Sequence, residues 1–98
     1  MKLSDFQALI NNLYFSKDKK RGALGTFAWL VEEVGEVANI IKQKNIDEAA
    51  LGAELADVIA WTFSLANIYG IDLEKAISSK YPLKCGKCGK LPCECIED

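Results

Sequence analysis

Two pairs of acids, Glu33 with Glu36 and Glu54 with Asp57, have the type and spacing to do chemistry together. Each pair is set at i and i+3, so on a helix of about 100° per residue its members share one side. Seventeen residues separate Glu36 from Glu54, enough to end one helix and begin another beside it. Packed antiparallel, such helices would gather four carboxylates, which cannot all stay ionised without cations. Oxygen donors without nitrogen or sulfur select Mg²⁺ or Mn²⁺ over zinc or copper. The chain has no histidine, which excludes Ser-His and Cys-His nucleophiles, histidine bases and di-iron bundles built on Glu-x-x-His. Ser16–Gly22 carries Lys17, Lys19, Lys20 and Arg21, four of the twelve Lys and Arg residues. This stretch is either a solvated connector or a contact for phosphate. A metal cluster beside it points to phosphoryl chemistry with activated water as the nucleophile.

The elements that must position these groups are helical. Ala49–Tyr69 spans twenty-one residues whose only charges are Glu54 and Asp57. Its length suits a membrane span, but two acids near a bilayer centre would cost about 2.5–3.5 kcal/mol each. A buried helix fits better, with both acids inside an apolar face. Before it, Leu24–Lys44 carries the stripe Phe27, Leu30, Val31, Val34, Val37, Ala38 and Ile41. Glu32, Glu33 and Glu36 lie largely opposite that stripe, as on an ordinary wet face. Yet three like charges at this spacing repel, and Gly35 among them suits close approach by another group. A first helix is expected over residues 3–15 behind a Ser4/Gln7 capping box, with residues 16–22 as a loop. Asn45 and Glu48 would cap the long apolar helix, and Gly70 would end it. Asp72 would start a short helix, Leu73–Lys80, stopped by Pro82. The pattern is four helices and no strand.

Trp29-Leu30-Val31-Glu32-Glu33-Val34-Gly35-Glu36-Val37-Ala38, followed by Glu54-Leu55-Ala56-Asp57-Val58, resembles the MazG-like nucleoside triphosphate pyrophosphohydrolases. Their signature is Glu-x-x-Glu and Glu-x-x-Asp on consecutive helices, and the likeness covers about residues 3–81. It implies an all-α fold, a four-helix MazG-like bundle completed by dimerisation or by a dimer of dimers. It also implies that Glu33, Glu36, Glu54 and Asp57 are the catalytic acids holding Mg²⁺, with Glu32 as an additional acid at or just behind the ion. Water would attack the α-phosphorus of a nucleoside triphosphate, giving the monophosphate and pyrophosphate. Lys17, Lys20, Arg21 and Lys80 are the candidates for phosphate contacts, from charge and position. Trp29 and Trp61 serve either as core or as walls of a nucleobase pocket.

The remaining chemistry lies at the C-terminal end. Cys85, Cys88, Cys93 and Cys95 fall within eleven residues, as Cys-x-x-Cys and Cys-x-Cys. Glycines beside the first pair suit a turn that presents two thiolates to one tetrahedral ion. Lys84, Lys87 and Lys90 would favour thiolates and offset a doubly negative Zn-Cys₄ centre. Residues 1–81 are therefore expected to form the catalytic domain and residues 82–98 a zinc-knuckle-like tail, with disulfides or redox chemistry as the other uses of the sulfurs.

A chain of 98 residues, 50% hydrophobic and of net charge −2, forms one domain with a modest core. A helix apolar nearly all round then calls for a second subunit, as homodimer or homotetramer. Mild acidity gives no reason to expect nucleic acid. Met1–Asp5 lacks the apolar core of a signal peptide, so a cytoplasmic protein that binds no membrane is expected. Phosphoribosyl-ATP pyrophosphohydrolase, a related all-α family, is the second enzymatic reading. A non-catalytic helical adaptor with a zinc tail and a zinc-exchanging metal handler are the other readings.

Overall fold

A computed structural model of the chain describes residues 1–96. Glu97 and Asp98, the last two residues of the expected tail, lie outside the described residues. Among the described residues there are three helices and no strand: α1 (Leu3–Ile41), α2 (Glu48–Ile68) and α3 (Leu73–Lys80).

The two expected N-terminal helices are one element interrupted at a single residue. Gly22, at φ 85° and ψ 167°, leaves the helical region while the chain on either side stays in it. Only glycine adopts that conformation without strain. The basic stretch expected to be a loop is thus helical up to Arg21. Lys and Arg are good helix formers, and nothing before Gly22 breaks the backbone. The second half ends at Ile41, earlier than expected.

Two caps differ from expectation. Helix α1 starts at Leu3, with the Lys2 N–H donating to Asp5 at 3.2 Å, so Ser4 does not cap it. The α2 cap is Asp47, not Asn45; its carboxylate accepts from the Ala50 N–H at 3.1 Å. The far end of α2 closes as expected in a Schellman motif, with Ile71 N–H on Ala66 O and Gly70 N–H on Asn67 O. Asp72 caps α3 by accepting from the Lys75 N–H at 3.1 Å.

Gln7, freed from the expected capping role, ties the start of α1 to the α2–α3 turn. Its amide nitrogen donates to Asn67 Oδ1 at 2.9 Å and to Ile71 O at 2.7 Å, and its Oε1 accepts from the Leu73 N–H at 3.1 Å. Beside it, the Phe6 and Phe63 rings meet edge to face at 5.4 Å, and Ile10, Phe63 and Ala66 are buried. This core is small. Val31 and Val34 of α1 and Leu55 and Ile59 of α2 stay about half exposed. By length and composition α2 could cross a membrane, but Glu54 and Asp57 interrupt its middle.

Candidate active site

Glu33 on the second half of α1 faces Glu54 and Asp57 on α2. One carboxylate oxygen from each lies within 4.8 Å of the others. Glu33 and Glu54 are half-buried, whereas Asp57 is exposed, so it does not sit inside the apolar face as expected. Burial pushes the Glu33 carboxyl above its ordinary value, and Glu54, Asp57 and Glu36 push it further the same way. Oε2 of Glu54 is buried without a hydrogen-bond partner among the described residues. Such an atom calls for a proton or a cation.

The expected cluster of four acids is therefore a close group of three. Glu36 is exposed and lies outside the group, about 60° round the helix from Glu33, although its charge still reaches Glu33. Glu32 is exposed and also outside it, as the wet-face reading has it. A Cβ at Gly35 would meet nothing within 4 Å, so no group among the described residues packs against it there.

Asp57 also lines a pocket of about 350 Å³. Its other walls are Tyr14, Lys17, Asp18 and Arg21 from α1, with Ala60, Trp61 and Ser64 from α2. Arg21 is held from several sides. Its guanidinium donates to Asp18 Oδ1 at 2.9 Å and to Thr26 Oγ1 at 3.4 Å, and it lies 4.9 Å from the Trp61 ring centroid. Trp29 stacks on Trp61 with centroids 5.7 Å apart and planes 7° from parallel. A Cβ at Gly25 would come 2.7 Å from Arg21 Cγ, so glycine leaves the room through which the arginine side chain passes.

Of the expected phosphate contacts, Lys17 and Arg21 line the pocket while Lys20 and Lys80 do not. Lys20 points off the arc shared by Lys17 and Arg21. Lys80 ends α3, with its ammonium 5.9 Å from the Tyr81 ring centroid. The pocket also takes in Tyr14, Asp18 and Ser64, which are not among the expected site residues. Tyr14, Lys17, Asp18 and Arg21 fall at i, i+3, i+4 and i+7, one side of a helix. That signal is visible once the stretch is read as helix instead of loop.

A family model for the MazG nucleotide pyrophosphohydrolase domain matches residues 21–87, more than half of the chain. The chain belongs to that family. Comparison with curated proteins gives no match. The MazG match takes in all four signature acids, both tryptophans and Arg21. It begins after Tyr14, Lys17 and Asp18 and ends between Cys85 and Cys88. Membership of the MazG family carries nucleotide pyrophosphohydrolase activity in general and the use of divalent metals. The acidic group and the four cysteines of the tail are the two places in the described chain that could hold a metal ion.

Proposed function

We propose that the protein hydrolyses nucleoside triphosphates to nucleoside monophosphate and pyrophosphate in a Mg²⁺-dependent reaction. The observation that carries this reading is the meeting of Glu33 and Glu54 with Asp57, which also lines the pocket that holds Lys17 and Arg21. The acids fit a hard divalent cation. Their donors are all oxygen, and one of them, Glu54 Oε2, is buried with no partner among the described residues. Glu33, Glu54 and Asp57 would hold Mg²⁺ or Mn²⁺, with Glu36 as a further acid nearby on the same helix. When bound, that cation supplies Lewis-acid polarisation of phosphate oxygens and acidifies water.

The chain's own side chains do the rest. Lys17 and Arg21 bind the negative phosphates in the pocket they share with Asp57. Asp18 and Thr26 keep the guanidinium from swinging, so little entropy is lost when it engages a ligand. Tyr14 and Trp61 offer apolar walls for the nucleoside, with Trp29 bracing Trp61 from behind the pocket. We assign this reaction to residues 1–81 and treat the cysteine tail as a separate metal-binding unit. The half-exposed Val31, Val34, Leu55 and Ile59 support assembly as a homodimer.

The test is pyrophosphate release from a panel of canonical and modified nucleoside triphosphates, including phosphoribosyl-ATP, with Mg²⁺ and with EDTA. Mg²⁺-dependent release from a triphosphate is expected. Selective turnover of phosphoribosyl-ATP would move the protein to the related family. Absence of release from every member by folded, Mg²⁺-supplied protein would favour a non-catalytic adaptor.

A further inference from the structure

The chain closes with a cluster that the reaction above does not use. Cys85, Cys88, Cys93 and Cys95 place their sulfurs within 4.8 Å of one another. All four are free thiols. The Sγ atoms of Cys85 and Cys95 are 3.6 Å apart, and those of Cys88 and Cys93 are 4.0 Å apart. A disulfide needs about 2.05 Å. A zinc ion bonded to four sulfurs at about 2.3 Å sets them about 3.8 Å apart along each tetrahedral edge. The observed separations straddle that value.

The backbone around the sulfurs is arranged for thiolates. The N–H groups of Lys87, Glu94 and Cys95 point at the sulfurs of Cys85, Cys88 and Cys93, at 3.4, 3.4 and 3.3 Å. The first two donate to sulfurs across turns, and these bonds favour the charged form. Four sulfurs within 4.8 Å of one another resist ionising together unless a cation lies between them. Lys84 and Lys87 stand beside the cluster in the chain, while Lys90 pairs with Glu94 at 2.6 Å.

The same turn is fastened to the helical body. Cys85 and Lys90 close a loop through the Cys85 N–H on Lys90 O at 3.0 Å, and the Gly89 N–H returns to Cys85 O at 2.9 Å. Gly86 lies against the end of α3: a Cβ there would sit 2.5 Å from the Lys80 carbonyl oxygen. The tail offers almost no apolar burial of its own, since Leu83, Leu91 and Ile96 are all more than 80% exposed. A bound ion is what such a segment needs to hold its shape.

We propose that Cys85, Cys88, Cys93 and Cys95 form a closed tetrathiolate zinc site that fixes residues 82–96 against the C-terminal end of α3. Four protein sulfurs fill the coordination sphere, so the centre is structural and takes no substrate. Zinc binding displaces the thiol protons to solvent, with no redox change.

The experiment is elemental analysis of the full chain purified under reducing conditions, followed by hydrogen exchange before and after zinc is stripped. One zinc per chain is expected, replaceable by cobalt with the ligand-to-metal absorption of a tetrathiolate. Stripping should cost the amides of Tyr81, Cys85 and Gly89 their protection while the amides of α2 keep theirs. Cys88→Ser should lose the stoichiometric zinc with its helical circular dichroism intact. Two disulfides by mass, stoichiometric iron, metal-free thiols after zinc addition, or full zinc retention by Cys88→Ser would each overturn the site. Unchanged exchange at Tyr81 after stripping would overturn the anchoring. None of these readouts depends on nucleotide turnover, so the site stands or falls separately from the pyrophosphohydrolase reading.

Discussion

The Asp18 carboxylate, almost wholly buried, holds the Arg21 guanidinium at 2.9 Å on the wall of the pocket. One carboxylate oxygen is committed to the arginine and the other is buried without a partner among the described residues. Such a pair fixes an always-charged group in one place instead of leaving it on a flexible stem. Asp18→Asn keeps the shape and removes the charge. A hydrogen bond to a charged group contributes about 1.5–3 kcal/mol, so kcat/KM for a triphosphate should fall about ten- to a hundredfold. The helical circular dichroism should stay unchanged, and Arg21→Lys should not restore activity, because an ammonium lacks the planar fork.

Gly25 tests the same arginine from its other side. A methyl group there would stand 2.7 Å from Arg21 Cγ, so Gly25→Ala must push the side chain off its path. Alanine is better than glycine within a helix by about 1 kcal/mol, which offsets the strain. Activity is expected to fall while thermal stability holds. Steady-state kinetics alongside a melting curve reads both, and wild-type kcat/KM in this variant would show that the position of Arg21 does not matter.

Much of this site is legible in the residues, and its omissions have a common physical origin. Glu33, Glu54 and Asp57 were found because i, i+3 spacing on a helix survives any uncertainty in helix ends. Gly70 and Asp72 were found because each cap rests on a local backbone requirement. Asp18 is hidden inside a run of lysines that looks like a loop, and Tyr14 looks like one more apolar residue of the first helix; one glycine, not the charges, breaks the helix. The cap at Asp47 was lost to a competing signal, since Asn45 with Glu48 satisfies the same pattern. Glu36 shows a further limit: shared helical face does not decide how far a side chain turns toward its neighbours.

Glu33 gives the acidic group a pH signature. Its carboxyl titrates above the ordinary 4.5, mainly through burial and next through Glu54. The folded metal-free chain therefore binds that proton more tightly than the unfolded chain. By linkage, its contribution favours folding below the unfolded value and is lost as pH rises from there through the folded value. In EDTA, the melting temperature should fall across that window, and Glu33→Gln should flatten the fall. Mg²⁺ should raise stability at neutral pH in the wild type but not in Glu33→Gln. A metal-free wild-type profile no steeper than that of the variant would remove Glu33 from the cluster's electrostatics.

The exposed aliphatic side chains lead to a prediction about assembly. Leu55 and Ile59 lie four residues apart on α2, 47% and 50% exposed, and Val31 and Val34 lie three apart on α1, 53% and 51% exposed. Each pair shares one side of its helix. Full burial of a large aliphatic side chain contributes about 1.5–3 kcal/mol, so four half-covered ones leave several kcal/mol for a second copy of the chain to recover. Ile59→Glu places a charge on that surface while touching none of the pocket walls. Light scattering should give a dimer or larger assembly for the wild type and monomer mass for the variant, with a lower melting temperature. A wild-type monomer at micromolar concentration would leave these side chains to solvent and remove the dimer from the proposed function.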